Sequence, residues 1–70
     1  MMPLTYAQAG EENVIKRIGG RPDTKKHLED LGFVVGSVVC IVSKINDNVI
    51  VNVKDTRIAI SSEMATKIYI

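Results

Sequence analysis

The chain has no tryptophan, one phenylalanine and two tyrosines in 70 residues. So few rings cannot build the aromatic groove with which signalling domains grip proline-rich peptides. A single cysteine, Cys40, excludes an intrachain disulfide, and a single histidine, His27, leaves little material for a metal centre. Neither sign of charge dominates: nine Lys and Arg against eight Asp and Glu leave a net charge of +1. That balance removes the electrostatic basis for nonspecific nucleic-acid binding or for adhesion to an anionic membrane surface. The longest apolar stretch, Phe33 to Val42, is broken by Gly36 and Ser37 and is too short to span a bilayer. Met1-Met2-Pro3-Leu4-Thr5 lacks the basic and then apolar order of a secretory leader, so a cytoplasmic location is expected.

What is present is ordinary for a globular protein: 46% apolar and 24% charged residues, enough for one domain over residues 1–70. A chain this short buries only about 60% of the surface its unfolded form exposes. It has little stability left for a large polar cavity, and we expect a binding module and not an enzyme.

The clearest pattern runs from Val38 to Val53. Val38, Cys40 and Val42 alternate with Val39, Ile41 and Ser43 up to Lys44, and Val49, Val51 and Val53 alternate with Ile50, Asn52 and Lys54. Dense β-branching around the polar cluster Asn46-Asp47-Asn48 predicts a β-hairpin. The first of these strands is apolar on both faces, as in a strand covered on both sides or lying in a closed barrel. A second turn at Asp55-Thr56 leads into Arg57-Ile58-Ala59-Ile60, completing a three-stranded meander. Glu12 to Ile18 predicts a further strand, stopped by Gly19-Gly20. Lys67-Ile68-Tyr69-Ile70 alternates to the end of the sequence and needs a strand partner, for which Glu12–Ile18 is expected. Ser61 or Ser62 is placed to cap a short helical turn through Glu63-Met64-Ala65.

One helix fits between the first two strands. Pro22 suits its first turn, Asp23 or Thr24 suits its cap, and Thr24, Leu28 and Leu31 share a face with His27 beside it. Gly32 fits a left-handed stop after which Phe33 folds back on the last turn. The charges oppose the helix dipole, with Lys25 and Lys26 near the start and Glu29 and Asp30 near the end. Such a helix forms because Leu28, Leu31 and Phe33 cover an open end of the sheet. The predicted fold is mainly β: a small SH3-like five-stranded barrel, one α-helix between strands one and two, and a short helical turn before the last strand.

Read in order, these residues resemble the ferrous iron transport protein A (FeoA) family. The resemblance is carried by Leu4 and Gly10, Ile15 and Ile18, Gly19-Gly20, Leu28, the Leu31-Gly32-Phe33 corner and Gly36. It continues through the valine-rich hairpin, Arg57 to Ile60, Ser61 to Ala65, and Ile68 to Ile70. It spans nearly the whole chain at matching spacing. The resemblance implies a cytosolic SH3-like domain without a cofactor, accessory to a membrane ferrous iron permease that carries a cytosolic GTP-binding domain. Two departures fall in loops. Asn46-Asp47-Asn48 is shorter than the loop often seen there, and Asp55-Thr56 stands where a glycine is frequent. Both affect loop contacts and leave the Leu31-Gly32-Phe33 corner intact.

Several side chains carry candidate chemistry. His27 has Asp23 at i−4 and Asp30 at i+3, the pattern of a helical His–carboxylate site for a divalent metal, against the plainer expectation of an edge histidine bonded to a neighbouring carboxylate. Cys40, among valines, is expected to be a buried, inert thiol. Ser61 and Ser62 lie beside Glu63 but far in sequence from the one histidine. Gly19-Gly20-Arg21-Pro22 lacks the lysine and spacing of a phosphate-binding loop. Lys16, Arg17, Arg21, Lys25 and Lys26 could meet RNA, with Tyr6, Phe33 and Tyr69 as stacking rings. The expected interaction surface is Leu31, Gly32, Phe33, Val34 and Val35, with Lys25 and Lys26 on the adjoining helix. Phe33-Val34-Val35 presents more apolar surface than one face of a turn can bury, so at least one of the three should be exposed. Two alternatives stay open: the SH3-like regulatory domain of a metal-dependent transcriptional repressor, which would need an upstream DNA-binding segment longer than Met1 to Gly10, and a small RNA-binding barrel.

Overall fold

Ile15 and Ile18 are both buried, at 0% and 5% exposure. Their odd spacing would put them on opposite faces of one straight strand. In the computed structural model, which describes residues 1–70, the chain resolves this conflict by bending. The expected first strand becomes two, β1 (Glu12–Val14) and β2 (Arg17–Ile18). Between them the Ile15 N–H donates to the Ser37 carbonyl (2.9 Å) and the Lys16 N–H donates to the Tyr69 carbonyl (2.8 Å). One segment thereby changes partners at a single peptide bond.

After β2 come α1 (Pro22–Asp30), β3 (Val38–Ile45), β4 (Asn48–Val53), β5 (Thr56–Ser61), α2 (Ser62–Ala65) and β6 (Ile68–Tyr69). One antiparallel sheet has the order β1-β3-β4-β5, and a second pairs β2 with β6. Followed through the bend, the order is β6, then β2/β1, then β3, β4 and β5. This is the five-stranded SH3-like arrangement expected from the sequence, with the first strand broken. The barrel is not closed: β5 and β6 do not pair. The chain crosses between them through α2, whose cap is Ser61, its hydroxyl oxygen accepting from the Met64 N–H (3.2 Å).

The core takes the inner face of the meander, Val39, Ile41, Val49, Val51 and Val53, and closes over it with Leu4, Ile15, Leu28, Phe33 and Ile68. A bulge at Val42 shifts the register between β3 and β4, twisting the strand. The outer face of β3 is not covered as expected. Val38 is 48% exposed and Cys40 is half-buried, because no second layer packs there. The β4–β5 turn is Lys54-Asp55, one residue earlier than expected. Both residues have positive φ (51° and 61°), the conformation of a two-residue type I′ hairpin.

The start of α1 also differs from expectation. Its cap is Arg21, with no side-chain hydrogen bond, and Pro22 is the first helical residue. Asp23 therefore lies inside the first turn, where its carboxylate accepts from the Thr24 N–H. Ahead of β1, a 3-10 turn at Leu4–Tyr6 that the sequence pattern did not reveal drives Leu4 into the core. It follows a clasp between the ends of the chain. The Met2 N–H donates to the Ile70 carbonyl (3.0 Å), and the Ile70 N–H donates to the Met2 carbonyl (2.9 Å).

Candidate functional site

The corner after α1 is built by backbone geometry. Leu31 ends the helix and Gly32 follows at φ +107°, a conformation that costs a residue bearing a Cβ about 1–2 kcal/mol. From there the Phe33 N–H reaches back to the Leu28 carbonyl (2.9 Å) and the Gly32 N–H to the Glu29 carbonyl (3.0 Å). Those two bonds are the Schellman pattern. Phe33 is thrown inward to 0% exposure, while Val35 emerges at 63% and Val34 is intermediate. Leu31 is partly buried against the core.

The exposed end of the corner is tied to the sheet. The Gly36 N–H donates to the Ile15 carbonyl (2.8 Å) and the Ser37 N–H to the Val34 carbonyl (3.0 Å). Val14 and Val38, directly paired across β1 and β3, flank that junction, and each is 48% exposed. Three apolar side chains are thus held near a corner whose backbone is fixed on both sides. Val14 and Val38 were not singled out from the sequence. The signal was the alternation itself, because burial of Ile15 and Val39 sends their neighbours outward. Lys25 and Lys26 are exposed on α1, nearer its start.

The other candidates do not assemble into chemistry. His27 is exposed and lines a shallow groove between α1 and α2 with Asp23, Thr24, Glu63, Met64 and Lys67; Asp30 is not part of it. No group of three His, Cys, Asp or Glu side chains is placed to hold a metal ion. Cys40 is half-buried on the outer sheet face, not in the core as expected, with its Sγ 3.6 Å from the Ile41 carbonyl. Phe33 is unavailable for stacking on a base. Tyr69 packs against Gly19, where a Cβ would come within 3.1 Å of its ring, and the Arg17 guanidinium lies 5.5 Å from the ring centre. That leaves Tyr6 as the one strongly exposed ring, on the 3-10 turn.

A small open SH3-like barrel with a rigid apolar corner after its helix defines the class of fold to which the chain belongs. The FeoA domain model matches residues 2–70, and the chain belongs to that family. It is 33% identical over 70 residues to a Methanocaldococcus jannaschii protein whose provisional name is Fe(2+) transport protein A, covering 100% of this chain and 85% of that one. The structure of Stenotrophomonas maltophilia FeoA in complex with zinc, described as a prokaryotic SH3 domain protein, aligns with a TM-score of 0.85 at 24% identity, over 99% of this chain and 88% of that one. A manganese-dependent transcriptional repressor aligns with a TM-score of 0.88 at 15% identity, over 97% of this chain but 39% of its own. Both structural likenesses are of fold alone.

Proposed function

We propose that this chain is a cytoplasmic, non-enzymatic accessory protein of ferrous iron uptake that docks on the cytosolic part of a GTP-binding ferrous iron permease. Membership of the FeoA family and the name of the Methanocaldococcus jannaschii relative support a role in iron transport. The observation that carries docking is the exposure of Val35, Val14 and Val38 around a corner whose backbone is fixed by hydrogen bonds. Apolar surface held rigid in solvent loses little entropy when a partner covers it. Iron is cargo handled by the partner in this scheme, since the chain offers no ligand cluster of its own. None of the helices is long and apolar enough to cross a membrane, and in this scheme the membrane passage belongs to the permease. Any effect on GTP turnover is expected only in the presence of the partner, whose GTP-binding domain supplies the phosphate site.

Val35→Asp tests the docking site. A carboxylate buried without a partner at an interface is costly, and we expect at least a tenfold loss of affinity for the permease's cytosolic domain, about 1.4 kcal/mol. Folding should be unchanged to within about 0.5 kcal/mol, as for most surface substitutions. Calorimetric titration of the folded variant decides the matter, and normal binding by Val35→Asp would overturn the assignment of this corner.

The overlap with a transcriptional repressor favours a second scheme at the level of fold, in which the barrel is a regulatory domain. It predicts binding to the repressor's other domains and no binding to the permease.

A further inference from the structure

We propose that β5 is a pairing edge and that it joins the β5 strand of a second copy of this chain, antiparallel, into one continuous sheet. The chain covers its other terminal strand: β6 is flanked by β2 on one side and by the Met2–Pro3 segment on the other. On β5, six residues long, one side pairs with β4 and the other pairs with nothing.

The two-residue turn fixes which groups that open side presents. A type I′ turn at Lys54-Asp55 makes Val53 and Thr56 a hydrogen-bonded pair. Bonded and non-bonded pairs then alternate along an antiparallel ladder. Val51–Ile58 and Val49–Ile60 are bonded, whereas Arg57 and Ala59 turn their N–H and C=O groups away from β4. No loop or helix bonds to them. Arg57 and Ala59 are also exposed.

Proteins commonly blunt such edges with charged side chains, proline or a bulge. β5 has no proline and no bulge, the one bulge lying inside the sheet between β3 and β4, and its single charge is Arg57 near its start. The register centred on Ala59 seats a second copy without opposing like charges. Centred on Ala59, the two-fold places Ala59 opposite its own counterpart, with mutual N–H to C=O bonds and only methyl groups at the axis. Ile58, packed on the core but half-exposed, then faces Ile60 of the other copy and extends the apolar inner face. Arg57 faces Ser61, so no like charges oppose each other across the pair.

The test is sedimentation equilibrium and amide exchange on the whole chain. A contact this small associates weakly, so we expect the mass to rise toward that of a dimer between about 10 μM and about 1 mM, with the Arg57 and Ala59 amides gaining protection as concentration rises. Ala59→Lys and Ala59→Pro should stay folded, because the Ala59 N–H has no role within the chain, and both should remain monomeric. Val35→Asp should still dimerise, and Ala59→Lys should still bind the permease domain, so the two proposals fail separately. A monomer at about 1 mM, or a dimer that survives in a folded Ala59 variant, overturns the proposal. So does capture of an extended segment of another protein along β5 by a chain that never self-associates.

Discussion

Phe33→Ala should be among the costliest single substitutions in the molecule, although it lies next to residues that tolerate change. The ring is fully buried and its own N–H is the bond that closes the end of α1. Truncating a buried phenylalanine costs about 3–5 kcal/mol in lost transfer energy and cavity formation. A 70-residue domain has a total stability of about 4–10 kcal/mol, so this one change removes about 30% of it or more. At about 4–8 °C per kcal/mol, the melting temperature should fall by some 12 °C or more. Two neighbours calibrate the effect. Gly32→Ala would place a Cβ at 3.8 Å from both Lys54 and Val53, an ordinary contact. Its cost should be the backbone penalty alone, about 1–2 kcal/mol. Val35→Asp should cost no more than about 0.5 kcal/mol. Urea titrations followed by far-ultraviolet circular dichroism give all three, provided the slope with denaturant is unchanged. The packing argument fails if Phe33→Ala costs less than about 1 kcal/mol, or if Val35→Asp costs as much as Phe33→Ala.

Two further outcomes follow from strain and from an unmet hydrogen bond. Lys54 and Asp55 both occupy left-handed conformations, and replacing the pair by Asn-Gly, the preferred type I′ sequence, should stabilise the domain by about 1 kcal/mol, measured as a rise in the urea midpoint. Asn13, opposite Val39 on β1, has a buried side-chain N–H₂ with no partner; Asn13→Val should raise stability by about 1 kcal/mol, and a fall of that size would show that the amide is satisfied in solution.

The corner was legible because its signals are local. Gly32 had a side-chain-free position to fill after a helix, and the run Phe33-Val34-Val35 could not all be buried by one turn. The β3–β4–β5 meander was legible for the same reason, its period-2 alternation being broken by short polar turns. What escaped depends on contacts between distant parts of the chain. The bend at Ile15–Lys16 arises because β3 and β6 compete for one segment, and only the odd spacing of Ile15 and Ile18 hinted at it. The burial of Leu4 depends on a clasp between opposite ends of the chain, which no window of sequence reveals. The exposure of Val38 follows from the absence of a second layer over β3, so a strand apolar on both faces passed for an interior one. For the site, sequence placed Val35 near a corner but did not supply Val14 and Val38, which join it only through strand pairing. Arg21 as the helix cap escaped because Pro22 already fixes the backbone there, making a capping side chain dispensable.

The Met2–Ile70 clasp also bears on the order of folding. The β4–β5 turn closes a loop of two residues, whereas the clasp closes almost the entire chain. Loop-closure entropy grows by about 0.6 kcal/mol per doubling, so five doublings separate the two by about 3 kcal/mol. The meander can therefore nucleate while the ends still diffuse freely, and the clasp closes on a sheet already formed. Interactions made after the rate-limiting barrier govern unfolding and leave the folding rate nearly untouched. A change that weakens the clasp should thus shorten the lifetime of the native state without slowing its formation, making the junction of the two ends a kinetic latch on the whole barrel.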